Sequence, residues 1–212
     1  MISPDNFIGV AVISLGMVLT PGPNMIYLAS RSISQGRLAG MISLAGVALG
    51  FVCYLVASGL GLAALFKAVP LAYDVVRIGG ALYLGYLAWK MLKPNGVSPF
   101  EARELEPHSP RRLFTMGFVT NVLNPKIALM YSALIPQFIN PAAGSTFTQF
   151  VQIGVVQIAV SVAVNSLIVL AAARVSGFLG KRPSAMRAQR WIAGTVLGLF
   201  AVNILARGKP AA

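Results

Sequence analysis

The sequence predicts an all-α membrane protein of six transmembrane helices. They form two three-helix halves of opposite orientation, a 3+3 inverted repeat in which helices 1 and 4 are broken. Three observations predict it. Only 10% of the 212 residues are charged, 57% are hydrophobic, and the mean hydropathy is +0.76, whereas a soluble domain carries about 25% charged residues. Uncharged runs recur at the length of a membrane span. The basic residues, 17 against 5 acidic for a net charge of +12, gather in alternate loops. This composition excludes a disordered chain, a coiled coil and a soluble enzyme.

A span needs about 20 apolar residues. The first, residues 6–30, lies in an uncharged run of 25, and the second, 38–66, in one of 29. Ahead of the first the only charge is Asp5, and no cleavage site follows, so this segment is expected to stay in the protein as a span and not act as a secretory signal. The third, 70–90, contains Asp74 and Arg77 one turn apart, read as a local pair. A polar stretch with Pro94, Pro99, Pro107 and Pro110 ends the first half. The fourth span, 113–139, and the fifth, 147–173, share an uncharged run of 47 residues that is too long for one helix. The turn-forming Asn140-Pro141-Ala142-Ala143-Gly144-Ser145 divides it. The sixth span, 189–206, closes the chain's apolar part. Small residues Gly36, Gly40, Ser43, Gly50, Ala57 and Gly61 fall near one face of span two, and Gly194 and Gly198 share a face of span six, which suits close helix packing.

Twelve of the 17 basic residues lie in the loops after spans one, three and five: Arg31 and Arg37; Lys90, Lys93, Arg103, Arg111 and Arg112; Arg174, Lys181, Arg182, Arg187 and Arg190. Lys67, Arg207 and Lys209 lie in the other loop and tail regions, and Arg77 and Lys126 lie inside spans. The positive-inside rule then puts the odd loops in the cytoplasm and both termini outside. The organisation is a first repeat at 1–92, a cytoplasmic linker at 93–112 and a second repeat at 113–212. Positive charge used to orient loops does not signal a nucleic-acid partner; the partner of this surface is the lipid bilayer. A single cysteine, Cys53, and a single histidine, His108, exclude an internal disulfide and offer no metal or cofactor site. No nucleophile–base pair is visible, so no enzyme is expected.

Two spans contain breaks. Span one carries Thr20-Pro21-Gly22-Pro23-Asn24, and span four carries Asn121-Val122-Leu123-Asn124-Pro125-Lys126. Pro21 follows Phe7 by 14 residues and Pro125 follows Leu113 by 12, depths of roughly 21 and 18 Å at 1.5 Å per residue. Measured from opposite sides, they meet around the midplane. Proline removes an N–H and clashes with the carbonyl four residues back. Freed backbone groups are tolerated in a membrane only where protein or a watery cavity satisfies them. Two readings follow: a kink satisfied by its own Asn side chains, or an unwound substrate site between the halves, as in transporters built from inverted repeats. In the second, Pro21, Asn24, Asn121 and Asn124 bind polar substrate groups. Lys126, which costs roughly 2.5–3.5 kcal/mol to insert at mid-span, either snorkels outward or faces the cavity to receive an anion. Gln157, Ser161 and Asn165, spaced by four, form one polar stripe that serves either helix–helix hydrogen bonding or the lining of the path, the latter assigned to Gln157 and Asn165.

These residues also carry a resemblance. The two Pro-Asn motifs, Gly79-Gly80-Ala81-Leu82-Tyr83-Leu84-Gly85-Tyr86-Leu87 in span three, Gly117-Phe118-Val119-Thr120 leading into the second motif, and Leu134-Ile135-Pro136-Gln137-Phe138 closing span four resemble the LysE/RhtB family of amino-acid exporters over nearly the whole chain. The resemblance implies a multi-pass protein of the bacterial inner membrane that exports amino acids or related metabolites, driven by the proton gradient and not by ATP. Residues 47–54 and 157–165 hold no Asp or Glu, where some members carry an intramembrane acid, so a neutral substrate fits better than a cationic one. The rivals are an exporter of another small solute such as a metal ion, and a non-transporting assembly or signalling subunit. The oligomeric state is left open, a homo-oligomer included.

Overall fold

A computed structural model describes residues 4–62, 70–94, 96, 98, 100–101 and 105–206. Among the described residues the apolar runs are largely helical, and no strand is present. Helices α1 (Pro4–Leu19) and α2 (Pro23–Gln35) are the two arms of span one and meet at 57°. Gly36 alone joins α2 to α3 (Arg37–Ala57); its φ of 88° is a conformation in which only glycine is unstrained. A π-helical turn, Ser58–Leu62, extends α3. Helix α4 (Pro70–Leu92) is span three. Span four is α5 (Pro110–Val122) followed by α6 (Pro125–Leu129), a π-helical turn (Met130–Leu134) and a 3-10 turn (Ile135–Phe138), with a bend of 47° at the break. After a short 3-10 turn at Pro141–Ala143 come α7 (Thr146–Gly180) and α8 (Pro183–Ala206).

Residues 37–60 and α7 are each long and apolar enough to cross a membrane alone, with mean hydropathies of 2.1 and 2.3, and each bent pair adds one further span. Helices α4 and α8 have spanning length, at 23 and 24 residues, but carry more charge. Three bounds differ from the sequence expectation. Helix α2 runs on to Gln35, past the expected end of span one at residue 30, so Arg31 lies within the helix and not in the loop after it. Helix α7 runs 35 residues, roughly 52 Å at 1.5 Å per residue, so it continues past Ala173 through Arg174 to Gly180. Helix α8 begins at Pro183, before the expected 189, because Pro at a first helical turn favours initiation. Residues 63–69 and the side chains of Asp74 and Arg77 lie outside the described residues, and so does the pairing expected of the latter two.

Small residues set the packing. The closest contact is between α3 and α5: a Cβ on Gly46 would overlap the Phe114 carbonyl, and one on Gly117 the Ser43 carbonyl, so the two backbones touch. Gly50 leaves room for the Asn121 side chain, and Gly40 packs against Ser32 of α2 and Val169 of α7. The face is thus Gly40, Ser43, Gly46 and Gly50. Gly36 is the exposed hinge and Ala57 is exposed, contrary to the expected stripe. Helix α4 packs on α8 through Ala81, Leu84, Ala88, Leu197 and Ala201, with Gly194 accommodating Leu92; Gly198 makes only ordinary contact with Ala88.

The three basic loops meet at one end of the bundle. Arg31 of α2 donates to the Glu106 carbonyl (3.1 Å) and bonds His108 Nε2 (2.9 Å), while the Gln35 amide bonds the His108 backbone in both directions (2.6 and 2.9 Å). On the other side Arg190 donates to the Gly96 carbonyl (2.6 Å) and Ser98 to Gln189 Oε1 (2.6 Å). The linker therefore straps α2 to α8.

Gly46→Leu forces α3 and α5 apart. Overpacking costs typically about 1–3 kcal/mol, and where two backbones touch the upper end is expected, read as a lowered melting temperature and reduced folded yield in detergent. Gly79→Ala, at an exposed position with open space around it, is the control and leaves the melting temperature unchanged.

Candidate functional site

The site is built where the two breaks face each other. In a continuous helix the Met17 carbonyl would accept from the residue four positions on, which is Pro21 and has no N–H. Helix α1 accordingly stops at Leu19, and Pro23 starts α2 at its first turn after Gly22, in extended backbone. The α1 end is therefore left with carbonyl oxygens that the backbone itself does not satisfy. At the other break Asn124 caps α6: its Oδ1 accepts from the Lys126 amide at 3.1 Å, and Pro125 occupies the first turn.

Lys126 joins the two. Its Nζ donates to the Met17 and Thr20 carbonyls, both at 2.7 Å, the short distance of charge-assisted bonds. The residue is only 4% exposed, so the outward snorkel does not occur. Gly22 permits the approach, since a Cβ there would lie 3.1 Å from Nζ.

Three buried asparagines lie at or beside the two breaks: Asn24 lines the same small cavity as Lys126, Asn124 a groove on the other side, and Asn121 packs against Gly50. Asn24, Asn121 and Asn124 are 7%, 0% and 1% exposed. Four of their polar atoms have no protein partner: Asn24 Oδ1, both side-chain polar atoms of Asn121, and Asn124 Nδ2. A buried polar atom left unpaired costs about 1–3 kcal/mol.

The polar stripe of α7 turns inward beside them. Gln157 Oε1 accepts from Tyr131 Oη (2.5 Å) and its Nε2 donates to Ser161 Oγ (2.8 Å), so its side chain serves helix–helix hydrogen bonding. Asn165 donates to the Ser161 carbonyl (2.8 Å) and, with Ser161, Asn24, Met17 and Lys126, lines a small cavity. That cavity, about 20 Å³, holds roughly one water; no amino acid fits. Across the break lies a groove of about 590 Å³ lined by Pro23, Tyr54, Tyr83, Val119, Asn124 and Pro125. It shares Pro23, Tyr83 and Thr120 with a second groove of about 290 Å³ that reaches Arg31 and Leu105 at the linker end. The two adjoining grooves thus extend from Asn124 at the break toward Leu105 in the linker.

The structure brings Asn24, Lys126 and Asn165 to one small cavity, places Asn124 on the adjoining groove and Asn121 against Gly50, and holds Gln157 in a satisfied pair with Tyr131. Pro21 is half-buried and faces a separate groove against Ala185, Ile192 and Val196 of α8; it shapes the break without lining the cavity. Sequence reasoning missed the Met17 and Thr20 carbonyls, although a proline four residues after Met17 was the available signal. Tyr54 and Tyr131, which stack with ring centres 5.5 Å apart, gave none. Among the described residues no three His, Cys, Asp or Glu side chains cluster as metal ligands do, and Cys53 is exposed.

Comparison with known proteins agrees with this architecture. The family described as LysE type translocator matches residues 15–208. A leucine efflux protein of Salmonella choleraesuis (strain SC-B67) is 28% identical over 191 residues, 90% of this chain and 88% of its own. A leucine efflux protein of Enterobacter sp. (strain 638) is 28% identical over 207 residues, 95% and 94% of the two chains. An uncharacterised membrane protein of Pseudomonas aeruginosa is 28% identical over 195 residues, covering 89% of this chain and 86% of its own. No solved structure matches. With broken helices at both expected places and a family match over almost its full length, the chain belongs to the LysE type translocator family.

Proposed function

We propose that this protein is a secondary active exporter of neutral amino acids in the bacterial inner membrane, working by alternating access around the paired breaks, with leucine the first substrate to test. The observation that carries the reading is a buried lysine that bridges two interrupted helices, with unpartnered asparagine atoms at both breaks. Freed backbone at membrane depth is the usual binding locus of transporters built from repeats. The leucine efflux relatives supply the substrate class. Among the described residues no acidic side chain lines the central cavity or the adjoining groove, so a cationic amino acid would lack a counter-charge there.

The inverted-repeat reading, 1–92 against 113–212, is supported by the packing. Span two lies on span four as span five lies on span one, and spans three and six lie on each other. That pattern maps onto itself when the halves are exchanged. The meeting of the basic loops at one end supports their common placement in the cytoplasm, with both termini outside. The water-sized central cavity implies that substrate reaches the breaks only when the halves part. Lys126 would take the substrate carboxylate, and Asn24, Asn121 and Asn124 its polar groups.

Proteoliposomes preloaded with radiolabelled leucine are expected to lose it faster than protein-free vesicles and faster than lysine-loaded ones. Release of lysine but not leucine would overturn the neutral specificity, and release of neither would overturn the exporter. A proton gradient opposed to leucine flux should accelerate release several-fold; indifference to it would remove the proton from the mechanism.

A second measurement probes the path. In a Cys53→Ser background, Asn124→Cys is expected to react with a membrane-impermeant thiol reagent and to be protected by leucine. An unreactive thiol would favour a purely packing role for the break.

A further inference from the structure

We infer that the Met17 and Thr20 carbonyl oxygens, with Asn24, form a subsite for the α-ammonium group of a zwitterionic amino acid, occupied in this closed arrangement by the chain's own Lys126 ammonium. This rests on the exporter reading above and names how its site would recognise substrate.

The carbonyls are the unsatisfied end of α1. They lie at the negative end of that helix's dipole: Pro21 removes the donor that Met17 would have four residues on, and Thr20 follows the helix's last residue, Leu19, so both favour a cation. That they suit a primary ammonium is visible directly, since they hold one at 2.7 Å each. An –NH3⁺ group has three donors, and two are used. The third acceptor at hand is Asn24 Oδ1, which is buried, has no protein partner and lines the same cavity as Met17 and Lys126.

A substrate α-ammonium is the same chemical group as the one now bound. It can take the carbonyls only if Lys126 leaves them, and a buried ammonium cannot be left without a partner. The described groups around Lys126 supply no anion: α1 and α2 present Met17, Val18, Asn24 and Met25, α3 presents Phe51, and α7 presents Ser161 and Asn165. The replacement partner is the substrate's own carboxylate. One zwitterion thereby exchanges a single internal contact for two, ammonium to carbonyls and carboxylate to Lys126, with no change in net charge. The ligand must carry both ends free. The same exchange removes the strut between the breaks, so binding and separation of the halves become one event.

The test is competition against radiolabelled leucine by a series of single-ended analogues, on the full-length protein in nanodiscs. In the wild type leucine competes, while leucinamide, N-acetylleucine and 4-methylpentanoate are each expected to be at least tenfold weaker. Lys126→Gln removes the internal cation and the carboxylate's partner together, so the leucinamide-to-leucine ratio should move at least tenfold toward leucinamide. Lys126→Arg keeps the charge and should keep the wild-type order. N-acetylleucine equal to leucine in the wild type would overturn the ammonium subsite. Leucinamide equal to leucine there, or an unchanged ratio in Lys126→Gln, would overturn the exchange at Lys126. Absence of any leucine binding to folded wild type would instead overturn the functional reading, and this inference with it. The wild-type series decides the matter even if the glutamine variant does not fold.

Discussion

A backbone carbonyl inside a bilayer must have a partner, and the centre of this protein is organised by that requirement. Two prolines in span one deprive the end of α1 of its helical donors. An unsatisfied backbone group in hydrocarbon costs several kcal/mol, and a lysine at mid-span costs roughly 2.5–3.5 kcal/mol on insertion scales. Each defect answers the other: Lys126 donates to Met17 and Thr20 across the interface between the two breaks. The contact ties the two breaks together across the bundle.

That pairing is possible only because the helices approach closely. Gly46 and Gly117 bring α3 and α5 into backbone contact, and Gly50 admits Asn121 beneath the break of span four. Gly22 lets the Lys126 stem lie across the break of span one. Without lipid–protein contrast to drive association, such close approach and the hydrogen bonds it permits hold the bundle together. At the loop end the linker takes over that role through Arg31, His108, Ser98 and Arg190.

Not everything at the centre is satisfied. Asn24, Asn121 and Asn124 keep four polar atoms unpaired, and each such atom costs about 1–3 kcal/mol. Fold stability alone would replace them with apolar residues. On the reading proposed above, these atoms gain partners when a small polar molecule enters between the two halves.

The sequence by itself determined the helical membrane class, the two breaks and the residues beside them. These follow from charge spacing and from proline's missing N–H, which act locally. It also placed the three basic loops together, because insertion reads their charge independently of tertiary contacts. It could not decide the partner of Lys126: snorkelling and cavity-facing rotamers have the same sequence. Nor could it separate Gln157, absorbed by Tyr131, from Asn165, which lines the cavity, since both lie on one helical stripe. Only the tertiary structure decided these, because they depend on which backbone atoms of a helix more than 100 residues away are left without donors.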